Sequence, residues 1–342
     1  MAWVFDGHND ALTRDDHAQV AAGRSGGHLD LPRMRAGGVR GGVFAVFASI
    51  GKVPWTQVAR EDGVQEFEPA PPIPHAEAAA IATAAAGRLF ALERAGEVRI
   101  ARTVADIDAV HADPDGPPVA VLHLEGAEAI DPGLEALDLW YAAGLRSLGP
   151  LWSRPNDFGH GVPFVFPSSP DTGPGLTRAG QALVGRCAEL GIVVDLSHLN
   201  EAGFWDVARA GLGALVASHS GVHSLCAASR NLTDAQLDEI GSTGGLVGIV
   251  YATKFLRADF ADDPDTPVSL IVEHARYVAE RIGVAHVALG SDFDGALIPA
   301  ELGDVAGVPR VIDALGDAGF SAAEIDAIAW GNWRRVFDSW WR

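Results

Sequence analysis

Short apolar runs bounded by turn-forming residues alternate along this chain with longer stretches whose apolar residues recur at helical spacing. Eight runs have this character: AWVFDGHND, GGVFAVFAS, PVAVLHLEG, GLRSLGPLW, GIVVDLSH, ALVASHS, GLVGIVY and HVALGSDFDG. Several are rich in Val, Ile and Leu, the composition of strands buried on both faces. The segments HAEAAAIATAAAGRLFALERAG, LTRAGQALVGRCAELG, NEAGFWDVARAG, TDAQLDEIGSTG and SLIVEHARYVAERIG read as helices, and each ends in Gly, the residue common at helix C-termini. Strand and helix in alternation predict βα units around a parallel sheet, and eight runs predict a closed (β/α)8 TIM barrel.

After the last run, SAAEIDAIAWGNWRRVFDSWW predicts a C-terminal helical extension that caps the barrel. Segments 52–74 and 153–175 are rich in Pro, Gly and polar residues and are expected to be lids or substrate loops. No repeat of fixed period occurs, and the Ala-rich stretch from Ala78 to Ala86 is the single low-complexity tract. Barrels of this class fill such a length with one core, so residues 1–342 read as one domain.

Hydrophobic residues make up 48% of the chain, ample for a large core, yet no stretch is both long and uncharged enough to cross a bilayer. Lys and Arg number 25 against 45 Asp and Glu, a formal net charge of −20, which disfavours nucleic acid and anionic membranes as partners. The first residues lack the charged and apolar regions of a secretory signal, so the expected location is cytoplasmic. Cys187 and Cys226 are too few for a disulfide framework and read as small buried side chains.

In a barrel of this kind the active site forms where the strands end, so the last residues of each run carry the chemistry. The first run ends in His8 and Asp10, which share a face at strand period two. The third ends in Glu125, the fifth in His198, the sixth in His219 and the eighth in Asp292 and Asp294. Each has a plain alternative: DGHND is also a turn sequence, His198 a helix-capping residue and His219 a turn histidine. Coincidence across five strand ends favours a metal site. Three imidazoles with two or three carboxylates exceed what one tetrahedral ion needs, and suit two borderline divalent ions such as zinc, with cobalt or manganese also accommodated. Glu125 is the expected bridge, because neither lysine, Lys52 or Lys254, falls at the end of the fourth run. Asp292 is the expected general acid-base group, and Asp294 is either a direct participant or a turn residue ahead of Gly295. The Arg230 guanidinium would match a substrate carboxylate. His123, deeper in its strand than Glu125, is expected inside the barrel but outside the metal shell. His17, His28, His75, His111, His160, His223, His274 and His286 are expected at the surface or in packing, His223 least firmly.

The pieces DGHND, LEG at Glu125, DLSH at His198, ASHS at His219, RNLTD at Arg230, GSDFDG at Asp292 and GNWRRVF near the C-terminus span nearly the whole chain. Together they resemble the zinc-dependent membrane (renal) dipeptidase family of the amidohydrolase superfamily. The resemblance implies a dinuclear zinc barrel that hydrolyses free dipeptides, L-Xaa-L-Xaa or L-Xaa-D-Xaa, by attack of a metal-bridging hydroxide. It implies that His8 and Asp10 bind one zinc, His198 and His219 the other, and Glu125 both. It further implies that Arg230 holds the substrate's C-terminal carboxylate and that Asp292 moves the proton.

Where the family often carries a histidine after the fourth strand, this chain has Trp152, which joins Arg230 and Asp294 among the expected substrate-binding residues. Its indole N–H offers one donor, and Arg154, Asn156 or His160 are alternative donors to a developing oxyanion. That departure keeps two further readings open: a metal-dependent hydrolase of another small amide, such as an N-acyl amino acid, and a metal-binding barrel that has lost catalysis. In the tail, Trp330, Trp333, Trp340 and Trp341 offer either a homodimer surface or intrachain packing.

Overall fold

The computed structural model describes residues 2–50, 56–58 and 63–341. Eight strands follow the eight apolar runs: β1 (Val4–Asn9), β2 (Val39–Phe47), β3 (Val119–Glu125), β4 (Leu145–Gly149), β5 (Val193–Val194), β6 (Val216–Ser220), β7 (Leu246–Ile249) and β8 (Val287–Leu289). Strands β1 to β5 lie side by side in chain order in one parallel sheet, and β6 to β8 form a second parallel sheet. Parallel bridges Asp195–Val216 and Asn9–Phe293 connect the edges of the two sheets. A short strand, Arg99–Ile100, also pairs with the start of β3 and has no counterpart among the apolar runs. Because every major strand points the same way, their C-terminal ends gather the chemistry-bearing residues on one rim.

The longer helices are α1 (His75–Arg94), α2 (Val104–Ala112), α3 (Glu135–Ala143), α4 (Arg178–Leu190), α5 (Glu201–Ala210), α6 (Asp234–Ser242), α7 (Ser269–Ile282), α8 (Val308–Asp317) and α9 (Asn332–Trp340). Local chemistry delimits them. Thr177 opens α4 by accepting from the Gly180 N–H and Gly191, at φ 75°, ends it; Asn200 and Gly211 do the same for α5. The apolar pattern does not announce α2, α3 or α8. In α2 only Ile107 and Val110 are buried, too narrow a stripe to read, and the usable signal is the Thr103–Asp106 capping box. Every residue of β1 and β3 is buried; β3 accordingly reads as a near-continuous apolar run, whereas β1 buries the polar Asp6, His8 and Asn9.

One feature of the sheet bears directly on the site. Strand β6 is irregular against β7 between Ala217 and Ser220. A Cβ at Gly248 on β7, or at Gly290 after β8, would lie 1.9 Å from the Ser218 carbonyl oxygen. These two strands therefore carry glycine where the Ser218 backbone leans toward them.

The two Pro- and Gly-rich loops pair with each other. Gln57–Val58, Gln65–Phe67 and Val165–Phe166 make a small antiparallel sheet, so parts of the 52–74 and 153–175 segments act as one unit. Residues 52–55 and 59–62 of the first segment, Lys52 among them, lie outside the described residues.

The tail behaves as a cap. Indole N–H groups of Trp333, Trp340 and Trp341 donate to the carbonyls of Leu289, Ala214 and Arg146, and the Asn332 amide donates to those of Val284 and Val287. Trp330, Trp333, Trp340 and Trp341 are all buried within the chain, so of the two expectations for them, homodimer surface or intrachain packing, the second is the one this structure displays. Among the described residues no helix is long and apolar enough to cross a membrane.

Candidate active site

His8 sits on β1 with its ring fully buried, and Asp10 follows the strand directly. Glu125 is the last residue of β3, and His219 lies on β6. His198 and Asp292 come just after β5 and β8, both in the left-handed backbone region at φ 69° and 61°. Such a φ costs a non-glycine residue on the order of 1 kcal/mol, and positions of this kind concentrate at functional sites. Backbone pairing ties the β1 and β8 ends together: Asp292 N–H donates to the His8 carbonyl at 3.0 Å and Asp10 N–H to the Phe293 carbonyl at 2.8 Å.

These side chains converge. Oε1 of Glu125 lies 3.1 Å from His198 Nε2, 3.5 Å from His219 Nε2 and 3.6 Å from His8 Nε2, while Asp10 Oδ2 is 3.5 Å from His8 Nε2. The two nitrogens His198 Nε2 and His219 Nε2 are 3.0 Å apart. Neither nitrogen of the buried His8 has a hydrogen-bond partner. Three imidazole nitrogens aimed at one carboxylate oxygen are an arrangement for a shared cation. Two ligand groups, His8–Asp10–Glu125 and Glu125–His198–His219, have Glu125 in common. His8 with His219 and Asp292 forms another.

Electrostatics point the same way. Burial pushes Asp292 well above the ordinary carboxyl range with Asp10 adding to it, and burial with Glu125 raises Asp10. Burial favours neutral Glu125, but His8 and His198 hold it well below its ordinary value. His8 is disfavoured as a cation by burial, yet Glu125 and Asp10 carry it well above its ordinary value. His198 is pulled down to about 4 by burial and Arg230, and His219 well down by burial and His8, so both present neutral rings. Crowded carboxylates beside neutral imidazoles are the electrostatic signature of a site that wants a divalent cation.

A family model for the membrane dipeptidases, peptidase family M19, matches residues 1–340. The chain belongs to that family. It is accordingly a metal-dependent dipeptidase by class, acting on small peptides. A metallopeptidase from Rhodobacter sphaeroides, solved with a phosphinate mimic of the dipeptide L-Ala-D-Ala, is 42% identical with a TM-score of 0.92, covering 99% of both chains. The structure of dipeptidase AC, a metallopeptidase of family M19, is 43% identical with a TM-score of 0.91, again over 99% of each chain. A Klebsiella pneumoniae protein from the pqqA 5′ region is 47% identical over 248 residues, 72% of this chain and 91% of its own.

In this M19 chain Arg230 is buried beside the histidines. Its two terminal nitrogens donate to Ser220 Oγ and the His219 carbonyl, both at 2.8 Å, and its Nε has no partner. Burial pulls the guanidinium down to about 10. Trp152, where the family histidine is absent, has its ring 5.7 Å from that of His198 and 5.9 Å from Phe164. Phe255 lies 5.9 Å from the Arg230 guanidinium. Phe164 and Phe255, which no sequence motif singles out, thus line an aromatic wall with Trp152. Of the three alternative donors, Arg154 is buried, paired with Glu128 at 2.7 Å and set over the Trp152 ring at 5.2 Å. Asn156 instead donates to the Pro150 carbonyl, and His160 is exposed.

Asp294 departs from the substrate-binding expectation. One carboxylate oxygen accepts from Arg24 at 2.5 Å and the other from the His28 N–H at 2.6 Å, with Arg14 at 3.8 Å. Both oxygens are committed to the loop ahead of β2. His123 is buried on β3 with Nδ1 2.9 Å from Ser147 Oγ, and its ring also falls in a candidate ligand group with His8 and Asp195; His223 meets the Ser168 carbonyl.

Proposed function

We propose that the chain is a dinuclear metallodipeptidase: one domain over residues 1–342, closed as a (β/α)8 barrel with a C-terminal helical extension, cleaving free dipeptides of L,L or L,D configuration. The two parallel bridges between sheet edges support closure. The observation that carries the function is Glu125, the carboxylate common to the His8–Asp10 and His198–His219 groups. The orphaned nitrogens of buried His8 support the ligand role, since a packed histidine this deep would be hydrogen-bonded. In this reading His8 and Asp10 hold one ion, His198 and His219 the second, and Glu125 both; the mixed nitrogen and oxygen donors suit zinc and also accept cobalt or manganese. When bound, the metal supplies Lewis acidity toward the scissile carbonyl and a water acidic enough to attack at neutral pH.

The chain's own groups do the remainder. Arg230, pinned through its terminal nitrogens, offers its free Nε–H and charge to the substrate's C-terminal carboxylate. Asp292 takes the proton released by the attacking water and returns it to the leaving amine nitrogen as the C–N bond breaks. Trp152, Phe164 and Phe255 exclude bulk water on the His198 and Arg230 side, which strengthens both interactions. The phosphinate dipeptide mimic held by the Rhodobacter relative supports a dipeptide with a D residue at its C-terminus.

The test is hydrolysis of an L,L and L,D dipeptide panel by metal-loaded protein beside Asp292→Asn. Turnover is expected on at least one class and should fall roughly 100- to 10,000-fold in the variant. Inertness toward every dipeptide, or faster turnover of N-acyl amino acids, overturns the substrate assignment.

A further inference from the structure

Behind His219 lies a buried chain of hydrogen bonds that the ligand set does not use. Asp195, 1% exposed and one residue past β5, accepts the Ser197 N–H at 3.1 Å and the Ser218 N–H at 2.8 Å on Oδ1. Its Oδ2 lies 2.5 Å from Ser218 Oγ, and Ser218 Oγ lies 2.8 Å from His219 Nδ1. His123 Nε2 is 3.7 Å from the same Oδ2, beyond hydrogen-bond reach, so Ser218 is the partner of that oxygen. Burial favours a neutral Asp195, but His123 and the hydrogen bonds from Ser218 and Ser197 hold the carboxyl below its ordinary value, so it is ionised and can only accept.

The donors then have one consistent assignment. An ionised Asp195 has no proton to give, so the Ser218 hydroxyl hydrogen points to Oδ2. The Ser218 oxygen, its one proton committed, faces His219 Nδ1 as an acceptor, and Nδ1 must carry a hydrogen. The Nε2 lone pair is left free, directed at Glu125 and His198 Nε2. No comparable lock holds the neighbours: His198 Nδ1 meets only the Ser153 hydroxyl, at 2.8 Å, with no carboxylate behind it among the described residues, and both His8 nitrogens are unpartnered.

We propose that Asp195 is a positioning residue which, through Ser218, fixes His219 in the tautomer that presents Nε2 as a ligand. This rests on the reading of His219 as a metal ligand. The inward lean of Ser218, cleared by Gly248 and Gly290, places its hydroxyl between the carboxylate and the ring. Outer partners of this kind set the orientation and basicity of metal-bound histidines, and their loss lowers metal affinity roughly 10- to 100-fold.

Asp195→Asn is the informative variant, because it keeps the shape and reverses the polarity. The two backbone N–H groups retain the Asn oxygen, so its NH2 donates to Ser218 Oγ. The Ser218 hydrogen then turns to His219 Nδ1, and the ring proton moves to Nε2.

The first measurement is the His219 tautomer in the metal-free full chain by 1H–15N correlation, assigned with His219→Gln. Protonated Nδ1 in the wild type and protonated Nε2 in Asp195→Asn are expected; protonated Nε2 in the wild type overturns the proposal. The second is zinc affinity by chelator competition, with a drop of roughly 10- to 100-fold expected in Asp195→Asn. Ser218→Ala, which leaves Asp195 its backbone donors, should lose less affinity. It also decides the matter if Asp195→Asn does not fold: wild-type affinity in Ser218→Ala overturns the proposal. His219→Ala separates the two levels of the reading. If it loses zinc while Asp195→Asn does not, positioning by Asp195 is wrong; if neither loses zinc, His219 is not a ligand and both readings fall.

Discussion

On the β1 and β8 side of Glu125 stand His8, Asp10 and Asp292; on the β5 and β6 side stand His198, His219 and Arg230. The first half is acidic, with carboxyls raised by burial and by one another. The second is neutral at its imidazoles, both held below their ordinary value by burial, with a buried guanidinium alongside. One half prepares for a cation by accumulating negative charge. The other prepares by presenting lone pairs, and there the direction of a single proton matters more than the field. Glu125 joins the two because it faces imidazoles from both.

The largest expected effect removes that joint. Glu125→Gln should abolish the difference between the halves by weakening metal binding in both, and activity should fall at least about 1000-fold, equivalent to roughly 4 kcal/mol. Metal analysis alongside kinetics checks it; a variant that keeps its full metal content and turnover would show that the halves do not share a ligand. Next, Arg230→Lys tests whether the neutral half also reads the substrate. Lysine cannot reproduce the fork that holds Ser220 and the His219 carbonyl while facing a carboxylate. A loss of roughly 10- to 100-fold in kcat/KM, mainly through KM and at unchanged metal content, is the outcome that charge-assisted hydrogen bonding implies.

The smallest effect concerns a neutral histidine outside the site, which sharpens what neutrality means inside it. His274 on α7 accepts from the Val222 N–H at Nδ1 and donates from Nε2 to the Leu256 carbonyl, and burial pulls it down to about 4. In the unfolded chain a histidine titrates near about 6.5. Below that pH the unfolded state binds a proton that the native ring refuses, so stability is complete above about 6.5 and declines as pH falls toward about 4. Between pH 7 and pH 5 this one residue accounts for a loss of about 2 kcal/mol. Urea unfolding of metal-free protein at the two pH values should show that loss shrinking by about this amount in His274→Gln.

Much of the site was legible along the chain because its signals are local. His8, Glu125, His198, His219 and Asp292 each fall where an apolar run gives way to turn residues, and strand periodicity with turn chemistry is enough to place such ends on one rim. Asp294 was not legible: its partner Arg24 is 270 residues away, and no local rule distinguishes its carboxylate from that of Asp292 two positions earlier. The intrachain packing of the tail tryptophans was not legible for the same reason, since the carbonyls that receive their N–H groups belong to distant strands and loops. Phe164 and Phe255 carry no motif and reach the site only because a loop and the short helix Thr253–Leu256, from different parts of the chain, fold beside it.

By itself, then, the sequence determined the order of the eight main strands and most of the longer helices, and the residue types that end those strands, all of which depend on residues within a few positions of one another. Tertiary structure alone decided which nitrogen of each histidine faces inward, which of two neighbouring aspartates stays free, and how Ser218 comes to stand between Asp195 and His219. Those choices depend on packing between strands far apart in the chain, where two glycines clear the space and buried donors and acceptors must all be matched.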